Sequence, residues 1–174
     1  MIIYYLKKDG LVAPKKANPS DAGFDIIATS GPKIVGELWD IDYYRSIDYI
    51  EYGTNLFVKP AKGFEIHEFK LGDNFQLDLR PRSSISKYNL ILANSPATID
   101  ESYRGEIKVR FKYIFQPEDL KISNGIEVNK KKIYNIGDRI CQLLGRIVTP
   151  IRWIEVDQLD ETVRGAGGFG STGQ

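Results

Sequence analysis

Four short stretches of this chain concentrate side chains that can hold or cut a phosphate ester. "SDAGFDI" (20–26) sets Asp25 behind a glycine and an aromatic, and "RPRSSIS" (80–86) follows two arginines with paired hydroxyls at Ser83 and Ser84. "NSPATIDESYRGEI" (94–107) offers Asp100, Tyr103 and Arg104 beside Gly105. The last is the run "RGAGGFGSTGQ" (164–174), with "GDRICQL" (137–143) upstream of it. Each has a plain reading on its own. Asp25 opens a turn, Arg82–Ser84 makes a capped helical turn, Asp100 is a loop acid, Gln142 satisfies a strand edge, and a glycine-rich tail frays. Together they share a logic. Glycine-turn amides, serine hydroxyls and arginine forks bind phosphate oxygens, while Asp25 and Asp100 suit a magnesium–phosphate complex and an activated water. No GxxxxGK[ST] sequence is present, so the tail is not a loop that transfers a γ-phosphoryl group. These residues point to water attacking a polyphosphate.

The elements that must position them read as strands almost throughout. "MIIYYLKK", "GFDIIATS", "NFQLDLRP", "GEIKVRFKYIF" and "CQLLGRIVTPIRWIEV" are rich in β-branched and aromatic residues and punctuated by turn formers. "NFQLDLRP" alternates, with Phe75, Leu77 and Leu79 on one face and Gln76, Asp78 and Arg80 on the other. Asn124–Gly125 is a hairpin signal. A turn or two of helix is expected at Ser83–Ser86, with a serine capping its free amides. The pattern predicts an all-β sandwich, jelly roll or barrel in one domain. Two segments look added to it: 36–52, rich in acids and aromatics, and 112–134, which holds the Asn–Gly turn and the lysines Lys130–Lys132. They read as solvated loops or an extra hairpin, or more sharply as a surface for a protein partner.

Composition narrows the functions further. A formal net charge of +1 over 174 residues gives no whole-molecule field for nucleic acid or an anionic membrane. With one cysteine (Cys141) and one histidine (His67), an intrachain disulfide, a cysteine-rich zinc site and a His-based metal cluster are excluded. No apolar run has signal-peptide or membrane-spanning length, so a cytoplasmic location is expected, or the host cytoplasm or nucleus if the gene is viral.

In their order along the chain the motifs resemble the five of the trimeric deoxyuridine triphosphatases (dUTPases). "DAGFDI" looks like the first, "RPRSSIS" the second, "NSPATIDESYRGEI" the third, "GDRICQLL" the fourth and "RGAGGFGSTG" the fifth. The resemblance implies a distorted jelly-roll domain over 1–163, a C-terminal lid over 164–174, and a homotrimer with shared active sites that bind dUTP and Mg²⁺. It assigns Asp100 to the base that activates water at the α-phosphorus, and Asp25 to the acid that orients waters on the metal. Ser83, Arg82, Ser84 and Gln142 fall on phosphate-contacting positions. Asn94 and the hairpin backbone at Ala97, Thr98 and Ile99 fall on the uracil-reading edge, and Tyr103 on the ring under the deoxyribose. In the lid, Arg164 matches the γ-phosphate arginine, Phe169 the ring stacked on uracil, and Gly170, Ser171 and Thr172 phosphate-lining positions. Ala97 stands where the family usually has glycine; a positive φ there would strain it by roughly 1 kcal/mol. Two other readings remain: a dCTP deaminase-like enzyme of the same fold, and a dUTPase scaffold with an added regulatory, protein-binding role.

Overall fold

The computed structural model describes residues 2–60, 65–66, 69–70, 75–121, 125–149 and 151–167. Among these the chain runs through twelve strands: β1 (Ile3–Tyr5), β2 (Phe24–Ile27), β3 (Lys33–Asp40), β4 (Tyr43–Tyr52), β5 (Val58–Pro60), β6 (Glu65–Ile66), β7 (Phe69–Lys70), β8 (Phe75–Pro81), β9 (Leu90–Leu92), β10 (Ala97–Ile99), β11 (Val109–Tyr113) and β12 (Arg139–Ile147). Two antiparallel four-stranded sheets dominate, ordered β10–β8–β12–β2 and β3–β4–β11–β9; β1 pairs with β5, and β6 with β7. Their inner faces form the core. Ile26, Leu77, Leu79, Cys141 and Leu143 of the first sheet share one buried cluster with Ile50, Tyr52, Leu90, Leu92, Val109 and Phe111 of the second. This is the all-β arrangement the patterning predicts. No helix among the described residues is long and apolar enough to cross a membrane.

Alternation in β8 places Leu77 and Leu79 inside, as expected, but Asp78 on the opposite face is also fully buried. Its carboxylate accepts from Arg146 (3.1 Å), Gln76 (3.2 Å) and Arg80 (3.4 Å), which close over it from β8 and from the next strand. A buried carboxylate needs such partners, and a binary pattern of polar and apolar residues does not reveal them. The helical turn is present as a 3₁₀ segment, Ser83–Lys87, but its N-cap is Arg82 and no side chain caps it; the Ser86 hydroxyl instead donates to the Ser83 carbonyl. The last strand stops at Ile147, short of the predicted continuation, and Ile151, Trp153, Ile154 and Leu159 stand exposed beyond it, Trp153 at 89%.

The two added segments meet each other. Most of 36–52 is the β3–β4 hairpin, whose root (Ile50, Tyr52) is core, and Tyr44 exchanges backbone hydrogen bonds with Ile126 at 2.9 and 2.8 Å. A cavity of about 780 Å³ lies between them. Asn124 is outside the described residues; on either side of it Leu120 and Ile126 form an antiparallel bridge.

The core is centred on aromatic rings. Tyr52 meets Phe111 edge-on at 5.9 Å and Tyr134 at 6.3 Å, and its hydroxyl donates to the Tyr134 carbonyl at 3.0 Å. Burial pushes the Tyr52 phenol well above its ordinary pKa, so it stays a donor. Tyr52→Phe should leave that buried carbonyl unpaired and cost about 1–2 kcal/mol. Urea unfolding should show a lower midpoint at unchanged slope; an unchanged midpoint would contradict the role given to this bond.

Candidate active site

The site is built where β2, β12 and the chain leaving β8 converge. β12 lies between β2 and β8, and its register sets Gln142 opposite Asp25 on one side and Arg80 on the other. Side chains of residues paired in this way share one face of the sheet, so Asp25 and Gln142 project together from the outer side. Asp25 is further pinned by its backbone amide, which donates to the Lys15 carbonyl at 2.7 Å. β12 shifts register between Arg139 and Cys141; such an irregularity re-aims side chains at the end of a strand. Arg139 is thereby directed at Asp25.

Asp25 is the electrostatic centre. Its carboxylate, 14% exposed, accepts from Arg82 Nε at 2.7 Å and from Arg139 Nη1 at 3.1 Å. Arg82 also reaches Ser84 Oγ through Nη1 at 3.4 Å, which links the Asp25 cluster to a hydroxyl of the 3₁₀ turn. Gln142 donates through Nε2 to the Pro81 carbonyl at 3.1 Å, and a side-chain amide nitrogen keeps a second N–H for a ligand. Gly23 makes room for this: a Cβ there would sit 2.4 Å from Gln142 Oε1. Arg80, the first arginine of the second motif, turns away to Asp78. Cys141 is fully buried next to Gln142 and burial raises its thiol pKa, which makes it inert as a nucleophile.

Residues of the third motif stand elsewhere. β10 pairs with β8 through Ala97–Leu79, Thr98–Asp78 and Ile99–Leu77. Positive φ among non-glycine residues is found only at Asn55 within the described residues, so Ala97 lies in extended backbone without the strain a left-handed position would bring. Asn94, Thr98 and Asp100 are exposed, and the Asp100 carbonyl accepts from the Tyr103 amide at 3.0 Å. The Tyr103 ring is folded over Gly105, where a Cβ would come within 2.4 Å of its hydroxyl, and that hydroxyl donates to the Glu106 carbonyl at 2.9 Å. Glu106 ties the loop to the body by accepting from the Thr54 and Asn55 amides at 2.9 and 3.0 Å. β10 and β2 are opposite edges of one sheet. At ordinary strand spacing and rise, Asp100 is on the order of 20 Å from Asp25 within one chain.

Arg164 begins the glycine-rich arm in a turn, donating to the Gly167 carbonyl at 2.9 Å, with Gly165 at φ +50°. Phe169, Gly170, Ser171 and Thr172 lie outside the described residues. The sequence reading missed Arg139 and the space-making role of Gly23, although both lie inside motifs it quoted. A spacing rule identifies residue types, whereas a close approach between Gly23 and Gln142 appears only once β2 and β12 are paired.

A divalent cation suits this site in one manner. Among the described residues no three His, Cys, Asp or Glu side chains gather into a chelating group, and both Asp25 oxygens are engaged by arginines. That fits a hard cation that arrives with a polyphosphate and keeps its waters, with Asp25 facing those waters.

A family model described as dUTPase matches residues 70–173. Curated relatives include the deoxyuridine 5'-triphosphate nucleotidohydrolases of Rickettsia typhi, 42% identical, and Rickettsia canadensis, 35% identical; each alignment spans 161 residues, 92% of this chain and 87% of the relative. A solved dUTPase of Staphylococcus bacteriophage 80alpha with dUPNHPP matches with a TM-score of 0.65 over 99% of both chains at 20% identity, which shows a shared jelly-roll fold.

Because Gly23 lies against Gln142, Gly23→Ala should push the Gln142 amide off its perch at a cost of about 1–3 kcal/mol. Thermal unfolding should show a lower Tm, and calorimetry a several-fold weaker affinity for diphosphate. Wild-type values for both would mean that this contact positions nothing.

Proposed function

The chain belongs to the dUTPase family, and from that premise we propose that it hydrolyses dUTP to dUMP and diphosphate, keeping uracil out of DNA and supplying dUMP. The observation that carries the mechanism is the division of the site. Asp25, Arg82, Arg139, Ser84 and Gln142 gather at one end of a sheet, while Asp100 and Tyr103 belong to its far edge. A single chain leaves Asp100 far from this cluster, and in a shared site a second copy would supply it. This supports a homotrimer with each active site shared between subunits, and the uncovered apolar stretch at 151–163 fits burial against a neighbour.

In this reading Asp100 takes a proton from water as the water oxygen attacks the α-phosphorus. The bond from that phosphorus to the α–β bridging oxygen breaks, and diphosphate leaves. Arg82 and Arg139 pass from the Asp25 carboxylate to the phosphate oxygens, where charge develops. Ser83 and Ser84 donate near the bridging oxygen, and the second N–H of Gln142 holds a phosphate oxygen. Asp25 would hold a Mg²⁺ through its waters, and the ion bound with the triphosphate would supply charge withdrawal from the phosphate oxygens. Uracil is read by Asn94 and the backbone of Ala97, Thr98 and Ile99, whose extended conformation keeps amide and carbonyl groups presented along the strand. Tyr103 packs under the deoxyribose and excludes a 2′-hydroxyl. Arg164 reaches the γ-phosphate, and Phe169, Gly170, Ser171 and Thr172 close the lid over base and phosphates. A partner surface on the joined 36–52 and 112–134 segments rests on the exposed Leu38, Trp39 and Ile41 at the hairpin end, in addition to catalysis.

Asp100→Asn should bind dUTP and release no diphosphate in a coupled assay. Co-refolding it 1:1 with Arg82→Ala, itself inactive, should recover about a quarter of the wild-type sites, as random mixing of subunits around a threefold axis gives. Wild-type turnover by Asp100→Asn would remove the base, and no recovery on mixing would place each site within one chain. Deletion of Arg164–Gln174 should leave a folded protein with little activity, and full activity would deny the arm any part in the reaction.

A further inference from the structure

Tyr134 carries a hydroxyl that the fold does not need. The ring is fixed on three sides, with centroids 4.2 Å from Tyr88, 5.4 Å from Phe111 and 6.3 Å from Tyr52. Its backbone is held as well, since the Tyr134 carbonyl accepts from the Tyr52 hydroxyl at 3.0 Å. At 1% exposure the residue is core, yet its own hydroxyl is the buried side-chain polar atom left without a hydrogen-bond partner among the described residues. An unpaired buried hydroxyl costs stability that phenylalanine would not. Its polar neighbours are Ser84, Tyr88, Cys141 and Arg82. The Ser84 hydroxyl is not at hydrogen-bonding geometry to it; the serine oxygen accepts from Arg82 at 3.4 Å, and Arg82 donates to Asp25 at 2.7 Å.

We propose that Tyr134 is a positioning residue for Ser84: when a phosphate takes Arg82 away, the Tyr134 hydroxyl donates to Ser84 Oγ and turns the serine hydrogen toward the phosphate. The inference rests on the phosphate-cleaving reading of the site and adds a residue that lies outside its motifs. The donor is dependable, since burial pushes the Tyr134 phenol up to about 12 and it keeps its proton at neutral pH. The direction of the relay follows from the same constraint. A ring clamped by three others cannot move to the ligand, whereas a serine hydroxyl rotates freely to accept on one side and donate on the other. The hydroxyl that has no partner in the structure gains one in that arrangement.

Tyr134→Phe deletes only the hydroxyl. Its Tm should equal or exceed that of wild type, while kcat/KM for dUTP falls five- to twentyfold and diphosphate affinity, read by calorimetry, falls three- to tenfold. In a cycle with Ser84→Ala, the double variant should be no worse than Ser84→Ala alone, because the phenol acts through that serine. A purely structural tyrosine would lower Tm and multiply with the serine change. Unchanged diphosphate affinity in Tyr134→Phe overturns the assignment whether or not the wild-type chain hydrolyses dUTP. Weakened diphosphate affinity in a chain without dUTP turnover would retire the substrate and leave the assignment standing.

Discussion

Strand β12 is hydrogen-bonded on both sides, to β2 and to β8, and a ladder of this kind permits no partial slip. Beyond the irregularity at Arg139–Cys141, moving it by one residue would send Gln142 into the core and Cys141 into solvent, because side chains there alternate between faces. The buried Cys141 and Leu143 therefore fix the register by their burial, and the polar row Asp25–Gln142–Arg80 follows from it. Chemistry on the outer face is positioned by hydrophobic burial on the inner one. The 3₁₀ turn after β8 then inherits its place from the same ladder, which is why Arg82 reaches Asp25 across 57 residues of sequence.

The ion pairs at Asp25 act as a placeholder. Both partners are partly exposed, so their mutual attraction contributes little to folding. Their consequence is orientation, since two guanidinia are already desolvated in part and aimed at one spot. In the proposed reaction an incoming polyphosphate would exchange one anionic partner for another instead of ordering two long side chains from water, and the carboxylate so released would be free to face a hydrated cation.

Much of this was legible before the fold. The alternation in "NFQLDLRP" identified Leu77 and Leu79 as core, because a period of two has one physical meaning in a half-buried strand. The motif residues were visible because phosphate chemistry draws on few side-chain types. Other features depended on pairings between distant segments. Asp78 is covered in part by Arg146, which comes from a strand 68 residues away, and the added segments meet only through pairings such as the Tyr44–Ile126 bridge. The serine cap failed because Arg82 occupies the capping position in order to serve Asp25. Ala97 raised a concern that its extended backbone removes. Tyr134 looked like any core aromatic, since nothing in a sequence distinguishes a phenol that finds a partner from one that does not.

The apolar stretch after β12 has a consequence for the life of the chain outside catalysis. With Trp153 at 89% exposure and isoleucines on both sides of it, an isolated subunit presents an adhesive ribbon to the cell. Such a ribbon is a recognition element for chaperones and proteases until something covers it. In the shared-site assembly proposed above, covering this stretch would couple the persistence of the folded molecule to its own concentration by mass action, and abundance would then respond to expression more steeply than in proportion.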